Sequence, residues 1–213
     1  MRYNIPQSNS SLLHDFALRN ELTRLTKGQT AFCHPSSVAA YRAWASIPKR
    51  NTTLWQNMHQ VLLYSAPPCV VYGKAHKNIF FINGFQWLDR PINELPVRAI
   101  KKTSITGYTH SGEPILDPET EWLISLISWV EVISLIDGKI PMEGILCWQR
   151  VVNDRCPPEI LKAITKKDRI TNKHLCEVLD IKMSKLTHLK SKKPKQSTKN
   201  LTLEEIIRDA NED

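Results

Sequence analysis

An α+β fold in two parts is predicted by three observations. Short β-rich runs, Cys69–Gly73, Asn78–Ile82 and Leu95–Ile100, are bounded by Pro, Gly or polar residues. From Asp117 onward the apolar spacing turns helical. Basic charge then gathers in one segment. Between Ile160 and Asn200 there are twelve Lys or Arg and three Asp or Glu, a local excess of +9 in a chain whose net charge is +8. The expected organisation is a mixed α/β part over residues 1–112 and a helical part over 113–192. A basic linker and short acidic tail follow over 193–213.

The elements can be justified in order. Ser11–Thr26 is polar with spaced apolar residues and is expected to be helical. Asn51-Thr52-Thr53 can cap a helix starting near Leu54, where Leu54, Met58, Val61 and Leu62 share one face and Pro67-Pro68 stops it. "CVVYG", "NIFFI" and "LPVRAI" read as three strands, the first two joined by a polar turn at "KAHK". Asn83-Gly84 ends the second. Gly107, Gly112, Pro114 and Pro118 mark a loop. Asp117 is placed as a helix cap with Pro118 in the first turn. Leu123, Ile127, Val130 and Leu135 are expected to line the apolar face of that helix, with Gly138 ending it. Further helices follow Pro141, with Ile145, Leu146 and Trp148, and Pro157-Pro158, running to about Thr165. A last short helix is expected over Leu201–Asp213.

Composition excludes several classes. Hydrophobic residues make up 41% of the 213, enough for a packed core. No apolar run reaches the roughly 18 residues needed to span a bilayer. The most apolar stretch, Trp122–Ile136, is interrupted by Ser125, Ser128, Glu131 and Ser134. The N-terminus lacks a signal-like apolar region, so a cytoplasmic protein without a membrane partner is expected. The five cysteines (33, 69, 147, 156, 176) are odd in number and form no C-x-x-C pair, so neither a metal ribbon nor a disulfide framework is expected. The adjacent Cys33-His34 is read as incidental, because a catalytic His comes from elsewhere in a fold. His59, His76, Asp89 and Glu94 form no recognised catalytic pattern. No catalytic residue, metal site or cofactor is assigned.

The strongest functional signal is "ITNKHLCEVLDIKMSKLTHLK", Ile170–Lys190. Thr171 can cap a helix carrying Leu175, Cys176, Val178 and Leu179. "DIK" makes a tight turn, and Ser184 caps a second helix with Leu186 and Leu189 inside. Leu175, Cys176, Leu179, Ile181 and Leu186 fall where a helix-turn-helix locks its two helices, and Cys176 is small enough for their crossing. Asp180 stands where a turn glycine is usual. Asp tolerates the left-handed backbone conformation better than most residues. Lys182, Ser184, Lys185, Thr187, His188 and Lys190 are left outside, donors suited to phosphates and base edges. Lys192 and Lys193 extend them as an arm along the backbone. An ordinary helical hairpin would also expose polar residues. The local charge excess favours a polyanion.

Taken in order, the residues from Leu54 to Lys101 resemble the ParB/sulfiredoxin-like domain. "LWQNMHQVLLYSAPPCVVYG" is similar to that family's helix leading into a strand. "NIFFINGFQWLDR" is similar to its strand and glycine loop, and "ELPVRAI" to the strand that follows. A helix-turn-helix after this domain is also a feature of ParB-type proteins. The resemblance implies a nucleotide-phosphate site at Asn83, Gly84, Gln86 and Arg90, although the family's consecutive arginines are absent from this loop. The expected function is a double-stranded DNA-binding protein, a transcriptional regulator or partition-like factor of a plasmid, phage or other mobile element. It would act as a homodimer or in a larger nucleoprotein complex. The alternatives are a nucleotide-binding or nuclease-type enzyme using the glycine loop, and a subunit of a larger nucleoprotein assembly.

Overall fold

In the computed structural model, residues 18–49, 67–88, 95–137 and 139–191 are described. The three runs read as strands from sequence form β3 (Cys69–Tyr72), β4 (Asn78–Phe81) and β5 (Pro96–Ile100). They sit in a five-stranded mixed sheet with β1 (Leu18–Arg24) and β2 (Thr30–Cys33), in the order β1-β5-β3-β4-β2. The β1/β5 and β3/β4 pairs are antiparallel, and β3/β5 and β2/β4 are parallel. Val71 pairs with Phe80, Val70 with Ala99, and Phe32 with Phe80. Alternate residues of the sheet feed two cores. Val71, Phe80 and Ile100 pack with Leu116 and Ile124, while Val70, Ile79, Phe81, Val97 and Ala99 pack on the other face with Leu25 and Leu95. Burial on both faces explains why β3 and β4 read as continuous apolar runs and not as alternating ones.

Two expectations in this region are corrected. Over the described part of Ser11–Thr26 the expected helix is instead strand β1 from Leu18, and residues 11–17 lie outside the described residues. The backbone of Leu22–Arg24 pairs with Arg98, Val97 and Pro96, and Leu25 N donates to Leu95 O at 3.0 Å. Pairing with a distant strand overrides local spacing here. The Gly/Pro loop before Asp117 is instead a hairpin of β6 (Ile105–Tyr108) and β7 (Pro114–Leu116). Pro114 is the first residue of its strand, where a missing N–H does least harm. The connection is closed by bonds from Thr109 N to Glu113 O and from Gly112 N to Thr109 O. The helix expected after Asn51 lies outside the described residues, as do Gly138 and the segment Leu201–Asp213.

Helix α1 (Val38–Ser46) was not anticipated from the sequence. It follows a 3-10 turn at Pro35–Ser37 capped by His34. Helix α2 (Pro118–Ile133) begins as expected. Asp117 accepts from Thr120 N at 2.9 Å and from the Thr120 hydroxyl at 2.7 Å, and these bonds hold its carboxyl below the usual range. The buried side of α2 is displaced from the wide apolar face expected. Ile124, Leu126, Trp129, Val132 and Ile133 are buried, whereas Leu123, Ile127 and Val130 are only partly so. The reason is that α2 is enclosed by the sheet, by α1 and by a later helix.

Helix α3 (Ile145–Arg155) buries Ile145, Trp148, Val151 and Val152 along one face, and the Trp148 indole donates to Val132 O at 3.0 Å. Helix α4 (Pro158–Thr165) packs on α2 and is closed by Lys166 in the left-handed conformation, φ +60°. Asn153 then grips Ile170 through both backbone groups. The chain divides into two compact units after Thr171. The boundary expected near residue 112 falls inside the first unit, because Leu116 and Ile124 belong to the same core as the sheet.

Candidate nucleic-acid interface and the glycine loop

The second unit carries α5 (Asn172–Leu179) and α6 (Met183–Ser191), which pack on each other. Asp180 between them has φ +51°, the left-handed turn that its side chain tolerates. Ile181 N closes the end of α5 on Cys176 O at 3.1 Å. Leu175 and Leu186 are fully buried, and Leu179 and Ile181 partly so. Cys176 Sγ lies 3.9 Å from Met183 Sδ, so the small residue does meet the second helix at its first position. One local assignment is corrected. Helix α6 starts at Met183, with Lys185 N and Leu186 N turned to Lys182 O, so Ser184 lies inside the first turn and is not the cap.

Lys182, Ser184, Lys185, Thr187 and His188 are all exposed. At about 100° per residue, Ser184 and His188 fall opposite buried Leu186, with Lys185 and Thr187 flanking them. The Thr187 hydroxyl donates back to Met183 O at 3.0 Å. No side-chain position is described for Lys190, and Lys192 and Lys193 lie outside the described residues. This face therefore combines cations and short hydroxyl or imidazole groups, the chemistry that contacts phosphates and base edges.

The glycine loop is built differently from the implied phosphate site. Asn83 turns its side-chain oxygen to Cys69 N at 2.6 Å. Gly84 adopts φ +71°, ψ +37°. A Cβ there would stand 2.5 Å from Pro68 Cβ, so only glycine fits. The amides of Gly84 and Phe85 both point at one carboxylate, that of Glu131 on α2, at 2.6 and 3.2 Å. A pair of successive amides of this kind suits an anion, and here the chain supplies the anion itself. Gln86 is exposed, and Arg90 lies outside the described residues. Phe85 is buried with its ring 5.5 Å from Tyr41 and 6.1 Å from Trp44. Lys49 Nζ sits 3.8 Å over the Trp44 ring. One turn before Glu131 on α2, Ser128 Oγ lies 2.7 Å from both Ile82 O and Ser37 Oγ. Glu131, Ser128 and Ser37 were not singled out from the sequence as site residues. The signal for Glu131 and Ser128 was a polar residue standing inside the most apolar stretch.

Burial dominates the ionisation of this cluster. It pushes Glu131 up to about 7, against the pull of the two amides, Lys139 and Lys49. Burial, with the charge of Glu131 behind it, pushes Cys33 up to about 12. Cys33 therefore keeps its proton at neutral pH and is a poor nucleophile. Buried His34 is pushed down to about 4 and is neutral. Its Nδ1 accepts from Ser36 N, so the proton lies on Nε2, which finds no partner among the described residues. No grouping of three or more His, Cys, Asp or Glu able to hold a metal ion occurs among the described residues. No described helix is long and apolar enough to cross a membrane.

These shifts act on stability with opposite signs. The folded chain resists protonating His34, so stability falls as pH drops from 6.5 towards 4. The folded chain resists ionising Glu131, so its contribution falls as pH rises from 4.5 to 7. Between 4.5 and 6.5 the two oppose each other. His34→Asn removes one of them. Relative to wild type its unfolding free energy should gain about 3 kcal/mol on going from pH 7 to pH 4. Urea unfolding across that range checks this, and parallel pH profiles would contradict it.

No protein-family model matches this chain, and no curated protein or solved structure matches it either.

Proposed function

We propose that this chain is a double-stranded DNA-binding protein that reads the major groove through α6. The observation that carries the reading is the exposed face of α6 on which Ser184 and His188 lie opposite buried Leu186 with Lys185 and Thr187 beside them, preceded by exposed Lys182. It lies in a segment whose excess charge is +9. The left-handed Asp180 and the Cys176–Met183 contact support a helix-turn-helix. A single module of this type covers little DNA, so a homodimer on a two-fold site, or a larger nucleoprotein complex, is part of the proposal. The first unit would then serve assembly as a ParB-like scaffold. The biological setting proposed is cytoplasmic regulation or partition for a plasmid, phage or other mobile element.

The nucleotide-binding reading of the glycine loop is the less favoured one, because Glu131 already accepts from both loop amides. Titration of a mixed-sequence duplex at several salt concentrations tests the main proposal. Binding should weaken steeply with salt, the logarithmic slope being about −0.9 for each phosphate engaged. Binding that is absent at low salt, or indifferent to salt, would refute it.

A further inference from the structure

Between Lys162 and Arg169 the chain carries four basic residues and one acid, Asp168, and all five are exposed. The loop that follows α4 is held at both ends. At the α4 end, Lys166 N donates to Lys162 O at 2.9 Å. The Thr165 hydroxyl donates to Leu161 O at 2.8 Å and accepts from Lys167 N at 3.2 Å. At the other end, buried Ile170 donates its N–H to Asn153 Oδ1 at 2.8 Å. Its carbonyl accepts from Asn153 Nδ2 and Gln149 Nε2, each at 2.9 Å. Both amide side chains stand on α3, so the loop is fixed to the first unit, which ends at Thr171. Its charges are not equivalent. Asp168 pairs with Lys162 at 3.2 Å, and Lys166 Nζ folds back to Ala163 O at 3.3 Å. Lys167 and Arg169, one on each side of Asp168, have no side-chain partner among the described residues.

We propose that this loop is a second DNA contact, carried by the first unit, in which Lys167 and Arg169 neutralise phosphates of the duplex backbone. Like charges two residues apart repel each other, and the one acid between them is already engaged by Lys162. A phosphodiester backbone supplies the missing counter-charge, and the planar fork of an arginine suits a phosphate in particular. Because the loop backbone is already held at both ends, binding need order only the two side chains. The assignment rests on the DNA-binding reading for the nature of its partner, but not on α6 being the helix that reads the bases. Phosphate contacts fix register and orientation and carry no sequence information. The loop therefore strengthens binding to every duplex by the same factor, whereas sequence preference belongs to α6.

Equilibrium titration of the full chain with mixed-sequence duplex at several salt concentrations tests the contact. With Lys167→Ala and Arg169→Ala together, the logarithmic salt slope should be shallower than wild type by about 2. Affinity at moderate salt should fall on the order of 10-fold, and by the same factor on duplexes of unrelated sequence. The charge-conserving pair Lys167→Arg and Arg169→Lys should keep the wild-type slope. Lys74→Ala with Lys102→Ala removes the same charge from two other exposed sites of the first unit, and should change the slope by less than about 0.5. The proposal is overturned by an unchanged slope in the alanine pair at 167 and 169, by an equal change in the pair at 74 and 102, by a loss confined to one sequence, or by a lost slope in the charge-conserving pair. If changes at Lys182 and Lys185 leave binding intact while the loop pair weakens it, the reading of α6 fails and the loop contact stands. The opposite pattern removes the loop contact and leaves α6. A wild-type chain that binds no duplex at low salt overturns both.

Discussion

Replacing Gly84 by alanine is expected to cost about 3 kcal/mol of folding stability. Two effects add. The backbone sits at φ +71°, where an L side chain is strained, and the new Cβ would stand 2.5 Å from Pro68 Cβ. Neither atom is the far end of a flexible side chain, so relief requires the loop to move. Movement would strip Glu131 from its two amides and unseat Phe85 from Tyr41 and Trp44. Gly112→Ala is the matched comparison. Its φ is +82°, but its nearest non-neighbour atom is Lys74 Cβ at 3.8 Å. It should cost only about 1 kcal/mol, the conformational part alone. Equal costs for the two variants in urea unfolding would show that the overlap at Gly84 is relieved without consequence.

Changing Lys182 and Lys185 together to glutamate is expected to lower duplex affinity on the order of 100-fold at moderate salt. Both residues are exposed, so unfolding stability should stay within about 0.5 kcal/mol of wild type. The neutral pair Lys182→Ala and Lys185→Ala should reduce the salt slope by about 2, one unit for each phosphate that is no longer neutralised. Equilibrium titrations of wild type and both pairs at several salt concentrations give these quantities. Unchanged affinity in the glutamate pair would place any DNA contact elsewhere on the chain.

The strands β3, β4 and β5 were legible because each is a short apolar run with Pro, Gly or polar borders. Strand β1 was not. "LRNELTR" has a spacing compatible with helix, and its extended state depends on β5, more than seventy residues away. The hairpin of β6 and β7 was hidden by Pro114 and Gly112, residues that mark loops and strand ends alike. In the second unit the turn was legible in detail, since an Asp in place of glycine still announces a left-handed position, and Asp180 occupies one. The cap at Ser184 was misplaced within the first turn of the helix, a difference that apolar spacing cannot resolve. The glycine loop was visible, but its occupant was not. Glu131 lies on another element and stands in the sequence only as an acid inside an apolar helix. Its partners are backbone amides, which leave no mark in a sequence.

Selection of bound duplexes from a random library, at about 0.15 M salt, bears most directly on the role assigned to α6. Enrichment of one sequence is expected, with two inverted half-sites about ten base pairs apart for a homodimer. That sequence should be bound on the order of 1,000-fold more tightly than mixed duplex, and the preference should be lost in Lys185→Ala or His188→Ala. A pool that remains random although the protein retains DNA would contradict sequence-specific reading by this helix.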